Sequence, residues 1–146
     1  RRPARAFRHP AARLLTSEDT GLLAEAPREL QGAGFGGPRA MLAEGVVAGV
    51  FMDGRIVAIA HTSAITRRYA NTGIYTAPEW RGRGLSTAAA GLVAERVQAL
   101  GLTPVWSAGE DNWASLRVAQ KVGFEEISRR TYVILARTFE GACKNE

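Results

Sequence analysis

The residues best suited to chemistry in this 146-residue chain are Arg81, Gly82, Arg83 and Gly84, a glycine-bearing loop between a strand-like run and a long helical pattern. Glycine lets the backbone approach a ligand closely, and the free N–H groups opening the following helix favour an anion by geometry and dipole. The ligand group expected there is a phosphate or pyrophosphate. Two familiar phosphate loops do not fit. The spacing G-x-x-x-x-G-K-[ST] is absent because no lysine precedes Thr87. A dinucleotide fingerprint needs glycine or alanine three residues beyond Gly84, where Thr87 stands. Cys143, the single cysteine, is a nucleophile by type, but it sits in a polar tail and is read as incidental.

Local rules set the elements that position this loop. Pro78 has no N–H and cannot continue a central strand, so the preceding strand is expected to end near Thr76 or Ala77. Behind the loop, Leu85, Ala89, Leu92, Val93, Val97 and Leu100 recur at steps of three and four, one apolar helical stripe that stops at Gly101. Upstream, Val46 to Met52 and Arg55 to Ala64 are apolar runs around Asp53-Gly54, the signal for a type I′ hairpin. That turn predicts Phe51 facing Ile56 and Val50 facing Val57. Asn71 to Thr76 adds a third antiparallel strand, and Thr103 to Ala108 a short strand entered through a proline.

Further along, Asp111 or Asn112 caps a helix whose inner line is Leu116, Ala119 and Val122. Gly123 ends it before a strand from Phe124 to Leu135. At the other end, Leu14 and Leu15 suggest a short first strand. Ser17, or Thr16 towards Asp19, caps a helix burying Leu22 and Leu23, and a short helix runs from Pro38 through Leu42. A meander feeding a strand, helix, strand unit predicts an α+β sheet with helices on its faces.

Composition narrows the function classes. With 46% hydrophobic and 23% charged residues, the chain suits one domain with a sizeable core. There is no apolar run of about eighteen residues and no signal-like opening, so no membrane partner is expected. A lone cysteine suits a reducing cytoplasm. The net charge of +5 invites a nucleic-acid reading, but Arg1, Arg2, Arg5, Arg8 and Arg13 supply much of it as a solvated arm, and no specific nucleic-acid partner is expected. The first residue is arginine, so 1–12 is read as a basic arm or linker ending an upstream segment, 13–135 as one domain and 136–146 as a frayed tail.

Arg81-Gly82-Arg83-Gly84-Leu85-Ser86, after a strand and a proline, resembles the acetyl-CoA loop of the GNAT superfamily of acyl-CoA N-acetyltransferases, [Q/R]-x-x-G-x-[G/A], with serine departing from the last small position. Asn112-x-x-Ser115, followed by Arg117-Val118-Ala119-Gln120-Lys121-Val122-Gly123-Phe124, resembles the second signature in the form found in FR47-like acetyltransferases. The two signatures stand in the right order, separated by one helix and one strand, and the resemblance spans residues 13 to 135.

The resemblance implies the GNAT fold: a central, mostly antiparallel mixed sheet with helices on both faces and acetyl-CoA held where the two middle strands diverge. It implies acetyl transfer from acetyl-CoA to a primary amine, small-molecule or protein, without a metal. Amides of Ile74, Tyr75 and Thr76 are then expected to hold the pantetheine and polarise the thioester carbonyl. Loop amides from Arg81 and Gly82 through Arg83, Gly84, Leu85 and Ser86 to Thr87 take the pyrophosphate, and Asn112 contacts the cofactor. Many relatives place a tyrosine where Ala119 stands, to protonate the leaving thiolate; Ser115, one turn earlier, is the remaining donor.

For the base the choices are His61, Glu79, Glu110 and Asp111. His61 leads because it lies on the strand beside the cofactor strand and has an intrinsic pKa near 6.5. Tyr75, Ser115 and His61 are thus the residues expected to act in catalysis. Trp80 and Trp106 are read as packing beside the cofactor channel, residues 24 to 45 as the acceptor wall, and the exposed final strand as open to pairing in a homodimer. The alternative is a non-catalytic acyl-CoA-binding or regulatory module, motivated by Ala119.

Overall fold

The structure, a computed structural model, describes residues 3–5, 7–32 and 35–131. In chain order its elements are β1 (Ala12–Leu14), α1 (Thr20–Ala24), α2 (Pro38–Glu44), β2 (Val47–Met52), β3 (Arg55–Ile65), β4 (Tyr69–Thr76), α3 (Leu85–Ala99), β5 (Thr103–Trp106) and α4 (Trp113–Val122). The five strands form one sheet in the order β1-β2-β3-β4-β5, antiparallel except for the β4–β5 pair. This is the mixed, mostly antiparallel sheet expected.

Each face carries its own core. Leu15, Leu23, Leu30, Met41, Val47, Ile56 and Ile59 are buried together on the side of α1 and α2. On the other side Ala48, Val50, Ala58 and Ala60 meet Leu85, Ala89, Val93 and Val97 of α3 and Val122 of α4. Thr16, rather than Ser17, opens the turn before α1: its N–H donates to Asp19 Oδ2 at 2.9 Å. Asp19 also accepts from Arg13 Nη1 at 2.8 Å and Nη2 at 2.6 Å. The guanidinium therefore holds this carboxyl below the usual aspartate range.

Several expectations need correction. Asp53 and Gly54 both have positive φ, 50° and 75°, as a type I′ turn requires. Phe51 faces Ile56 as expected, but Val50 faces Ala58, because the register shifts between Val50 and Phe51 and Val57 becomes the extra residue of a bulge. The Val57 carbonyl accepts from Ala77 N–H at 2.9 Å instead.

α3 is buried on far more than one stripe: Thr87, Ala88, Ala90, Gly91 and Ala94 are inside as well, while Leu100 is 50% exposed. Besides α4, the N-terminal arm covers the helix, its described residues crossing the back. Ala4 N–H donates to Gln98 Oε1 at 3.1 Å, Arg5 N–H to Val122 O at 2.9 Å, and Arg8 Nη2 lies 3.4 Å from Glu95.

Residues 124–131 do not form the expected strand. Ile127 is 91% exposed, and Arg129 pairs with Glu126 three residues before it instead of facing a neighbouring ladder. Residues 132–135 lie outside the described residues, as does Cys143.

Candidate functional site

The site begins where two strands part. β4 and β5 pair from Tyr69 opposite Thr103 to Thr72 opposite Trp106, after which β5 ends and β4 runs on to Thr76. Strand residues alternate in the direction of their backbone groups. The bond from Thr103 N–H to Arg68 O turns the even-numbered positions of this stretch towards β5, and the bond from Ala77 N–H to Val57 O turns the odd-numbered ones towards β3. Ile74 and Thr76 therefore present backbone groups to a gap with no neighbouring strand among the described residues. Tyr75, expected to contribute its amide alongside them, turns its backbone to Ile59 of β3 and its side chain to the core under α1 and α2.

The loop follows at once. Pro78–Trp80 makes one 3₁₀ turn. Arg81 Nε then donates to the outward-facing Thr76 carbonyl at 3.1 Å, with the guanidinium 5.9 Å from the Tyr75 ring. Gly82 and Gly84 take φ of 77° and 76°, which a side chain adopts only under strain. Gly84 is the N-cap of α3, and no side chain among the described residues caps it. The first α3 hydrogen bond runs from Ala88 N–H to Gly84 O, leaving the amides of Leu85, Ser86 and Thr87 for an external acceptor. Arg83 lies over the Trp80 ring at 4.7 Å, beside this cluster of donors.

Asn112 caps α4 through its side chain, Oδ1 accepting from Ser115 N–H at 3.1 Å. The Ser115 hydroxyl accepts from Trp106 Nε1–H at 3.0 Å, joining the last residue of β5 to the first turn of α4. Trp106 in turn packs against Phe124, ring centroids 5.3 Å apart. Ala119, where the resemblance would place a tyrosine, is only 6% exposed and packed into the core.

His61 lies on the other face of the sheet. It pairs with Gly73, and Phe35 stands edge-on to its ring at 5.8 Å. Burial pushes the imidazole below the usual histidine range, and its Nδ1 is buried without a partner among the described residues. Glu79, Glu110 and Asp111 are exposed. An open depression lined by Arg28, Glu29, Gln31, Gly36 and Gly37 lies in the stretch expected to wall the acceptor.

The structure thus gathers Ile74, Thr76 and the 81–87 loop on one continuous path, with Asn112 and Ser115 held together on α4. It keeps His61 on the opposite face. Two participants were missed in the sequence: Phe35, inside a glycine-rich break that shows no periodicity, and the Trp106–Ser115 bond, which nothing short of the strand-to-helix geometry reveals.

The model of the GNAT acetyltransferase family matches residues 24–135. No curated protein matches the chain. Among solved structures, a GCN5-related N-acetyltransferase-like protein from Streptococcus suis is 25% identical with a TM-score of 0.65, covering 78% of this chain and 45% of that one. An acetyltransferase of the GNAT family from Novosphingobium aromaticivorans is 27% identical, also with a TM-score of 0.65, covering 88% and 56%. The chain thus spans about half the length of these two proteins. An aminoglycoside N-acetyltransferase in complex with CoA is 18% identical, with a TM-score of 0.66, covering 85% of this chain and 98% of that one, a likeness of fold.

Proposed function

Because the chain belongs to the GNAT acetyltransferase family, we propose that it transfers an acetyl group from acetyl-CoA directly to a primary amine. The observation that carries this is the parting of β4 and β5 after Thr72 and Trp106, directly upstream of an uncapped helix N-terminus. Ile74 and Thr76 amides suit the pantetheine and the thioester carbonyl, and the amides of Leu85, Ser86 and Thr87 with Arg83 suit the pyrophosphate. Among the solved relatives, the aminoglycoside N-acetyltransferase is a complex with CoA.

His61 and Ser115 stand on opposite faces of the sheet, which suits a transfer across the gap. Neutral and half-buried, His61 accepts the proton that the amine must lose, directly or through water. The amine nitrogen bonds to the carbonyl carbon, the C–S bond breaks, and its electron pair goes to sulfur. The Ser115 hydroxyl donates a hydrogen bond to that sulfur, which takes up a proton in place of the one lost by nitrogen. Asn112 fixes the helix turn that carries Ser115.

The acceptor is a small-molecule or protein amine walled by residues 24 to 45. We assign the domain to 13–135 and the compartment to the cytoplasm; among the described residues no helix is long and apolar enough to cross a membrane. A homodimer and an FR47-like affiliation belong to the same reading. The buried Ala119 favours one alternative, an acyl-CoA-binding module without turnover. Thiol release from acetyl-CoA over a panel of amines, with the acetylated product weighed by mass spectrometry, separates the two. CoA binding with no product on any amine would leave the binding module.

A further inference from the structure

We infer that Trp106 is a positioning residue that aims the Ser115 proton into the gap between β4 and β5, a role that rests on the acetyltransferase reading above. Trp106 is the last residue of β5 and the last to pair with β4, so its indole sits where the strands part. Its Nε1–H donates to Ser115 Oγ at 3.0 Å in a partly buried setting. An indole N–H only donates, so the serine oxygen must be the acceptor. One acceptor site of the hydroxyl is thereby fixed, and its own hydrogen is left to point elsewhere.

Among the described residues it makes no bond to the helix backbone. With Asn112 as cap, Ser115 is the third residue of α4. The carbonyl four residues earlier, at Asp111, precedes the helix, and the one three residues earlier, at Asn112, already accepts from Leu116 N–H at 3.0 Å. Nor does any described residue accept a hydrogen bond from Ser115 Oγ. Backbone and side chain are thus held independently, the former through Ser115 N–H to Asn112 Oδ1 and the latter through Trp106. Accepting from the indole also polarises the O–H, strengthening the bond it gives to a developing thiolate.

The test is a double-mutant cycle on turnover, read alongside the indole resonances. Trp106→Phe keeps an aromatic ring against Phe124 but removes the donor. It is expected to lower kcat about three- to tenfold, the worth of one neutral hydrogen bond, with the KM for acetyl-CoA nearly unchanged. In a Ser115→Ala background the same change is expected to cost nothing further, since a positioning role acts only through the hydroxyl. In ¹⁵N–¹H spectra the Trp106 Nε1–H peak, identified by its loss in Trp106→Phe, is expected to shift in Ser115→Ala. Equal losses in both backgrounds, an unmoved indole peak, or undiminished turnover in Trp106→Phe overturns the inference while the acetyltransferase reading stands. Wild-type protein that acetylates no amine in the panel overturns both.

Discussion

The His61 imidazole lies against the backbone of Gly73, its partner on β4: a Cβ at residue 73 would stand 3.1 Å from Nε2 and 3.2 Å from Cε1. Such a contact is tighter than an unshifted ring tolerates, so Gly73→Ala is expected to displace the imidazole while leaving the gap-facing amides of Ile74 and Thr76 in place. With His61 as proton acceptor, kcat/KM for the amine falls by about tenfold, the order expected of a small misplacement of a reacting group. CoA affinity, measured by calorimetry, stays near wild type. Unchanged turnover in a folded Gly73→Ala protein moves the base elsewhere.

The pH dependence follows from burial of the same ring. Its pKa lies below the ordinary value of about 6.5, so in wild type the amine-limited rate rises with pH through a pKa below that figure, and His61→Gln flattens the limb. Folding is linked with a definite sign. The unfolded chain binds the proton more readily, so stability is full above about pH 6.5, declines as pH falls towards the folded-state pKa, and levels off beneath it. Urea midpoints at successive pH values check this, and His61→Gln is expected to remove that part of the decline.

Gly84→Glu is expected to abolish CoA binding in a protein that still folds. An added Cβ meets nothing within 4 Å, so the protein itself is not crowded; the loss comes from a carboxylate among phosphate-binding amides and from side-chain strain at φ of 76°. Gly84→Ala isolates the strain and is expected to weaken binding only in part. Calorimetry finding wild-type affinity in Gly84→Glu would overturn the loop assignment.

Ser115→Ala is expected to lower kcat and kcat/KM together by roughly ten- to a hundredfold, about 1.4 to 2.7 kcal/mol of transition-state stabilisation. Binding of CoA stays nearly intact, because Asn112 caps the Ser115 amide and not its hydroxyl. A weaker CoA complex with unchanged kcat makes the serine structural.

Ala119→Tyr, on its face a restoration of the common donor, is expected not to rescue Ser115→Ala. The position is 6% exposed, and a phenol forced into it costs about 1–3 kcal/mol of stability. A lowered Tm without recovered rate is the expected pair of readings.

Legibility in the sequence tracked the range of the interaction responsible. Asp53-Gly54, the Asn112 cap and the glycines at 82, 84, 101 and 123 are local devices, and each appears where the pattern puts it. The bulge at Val57 was hidden because a turn fixes register only until an extra residue enters. The apolar stripe of α3 understated its burial because alanines carry little hydropathy signal, and because the arm crossing Gly91 comes from the far end of the chain. Phe124 to Thr131 reads as a strand by composition, yet a strand is a relation to a neighbour, and none adjoins it among the described residues. In the site, spacing marked the loop; the placing of His61 and Ser115 on opposite faces needed the sheet.

The groups that β4 offers to the gap belong to the main chain, and a side-chain scan is blind to them. Replacing Ile74 or Thr76 with alanine leaves each amide where it is, so such a survey would pass over the strand and credit the loop and α4 alone. Exchanging the amide for an ester at residue 74 or 76, which deletes one N–H and keeps the side chain, is the substitution that makes this strand visible. It also means that residues 74 and 76 have latitude to vary in identity so long as the chain keeps its extended course past Thr72.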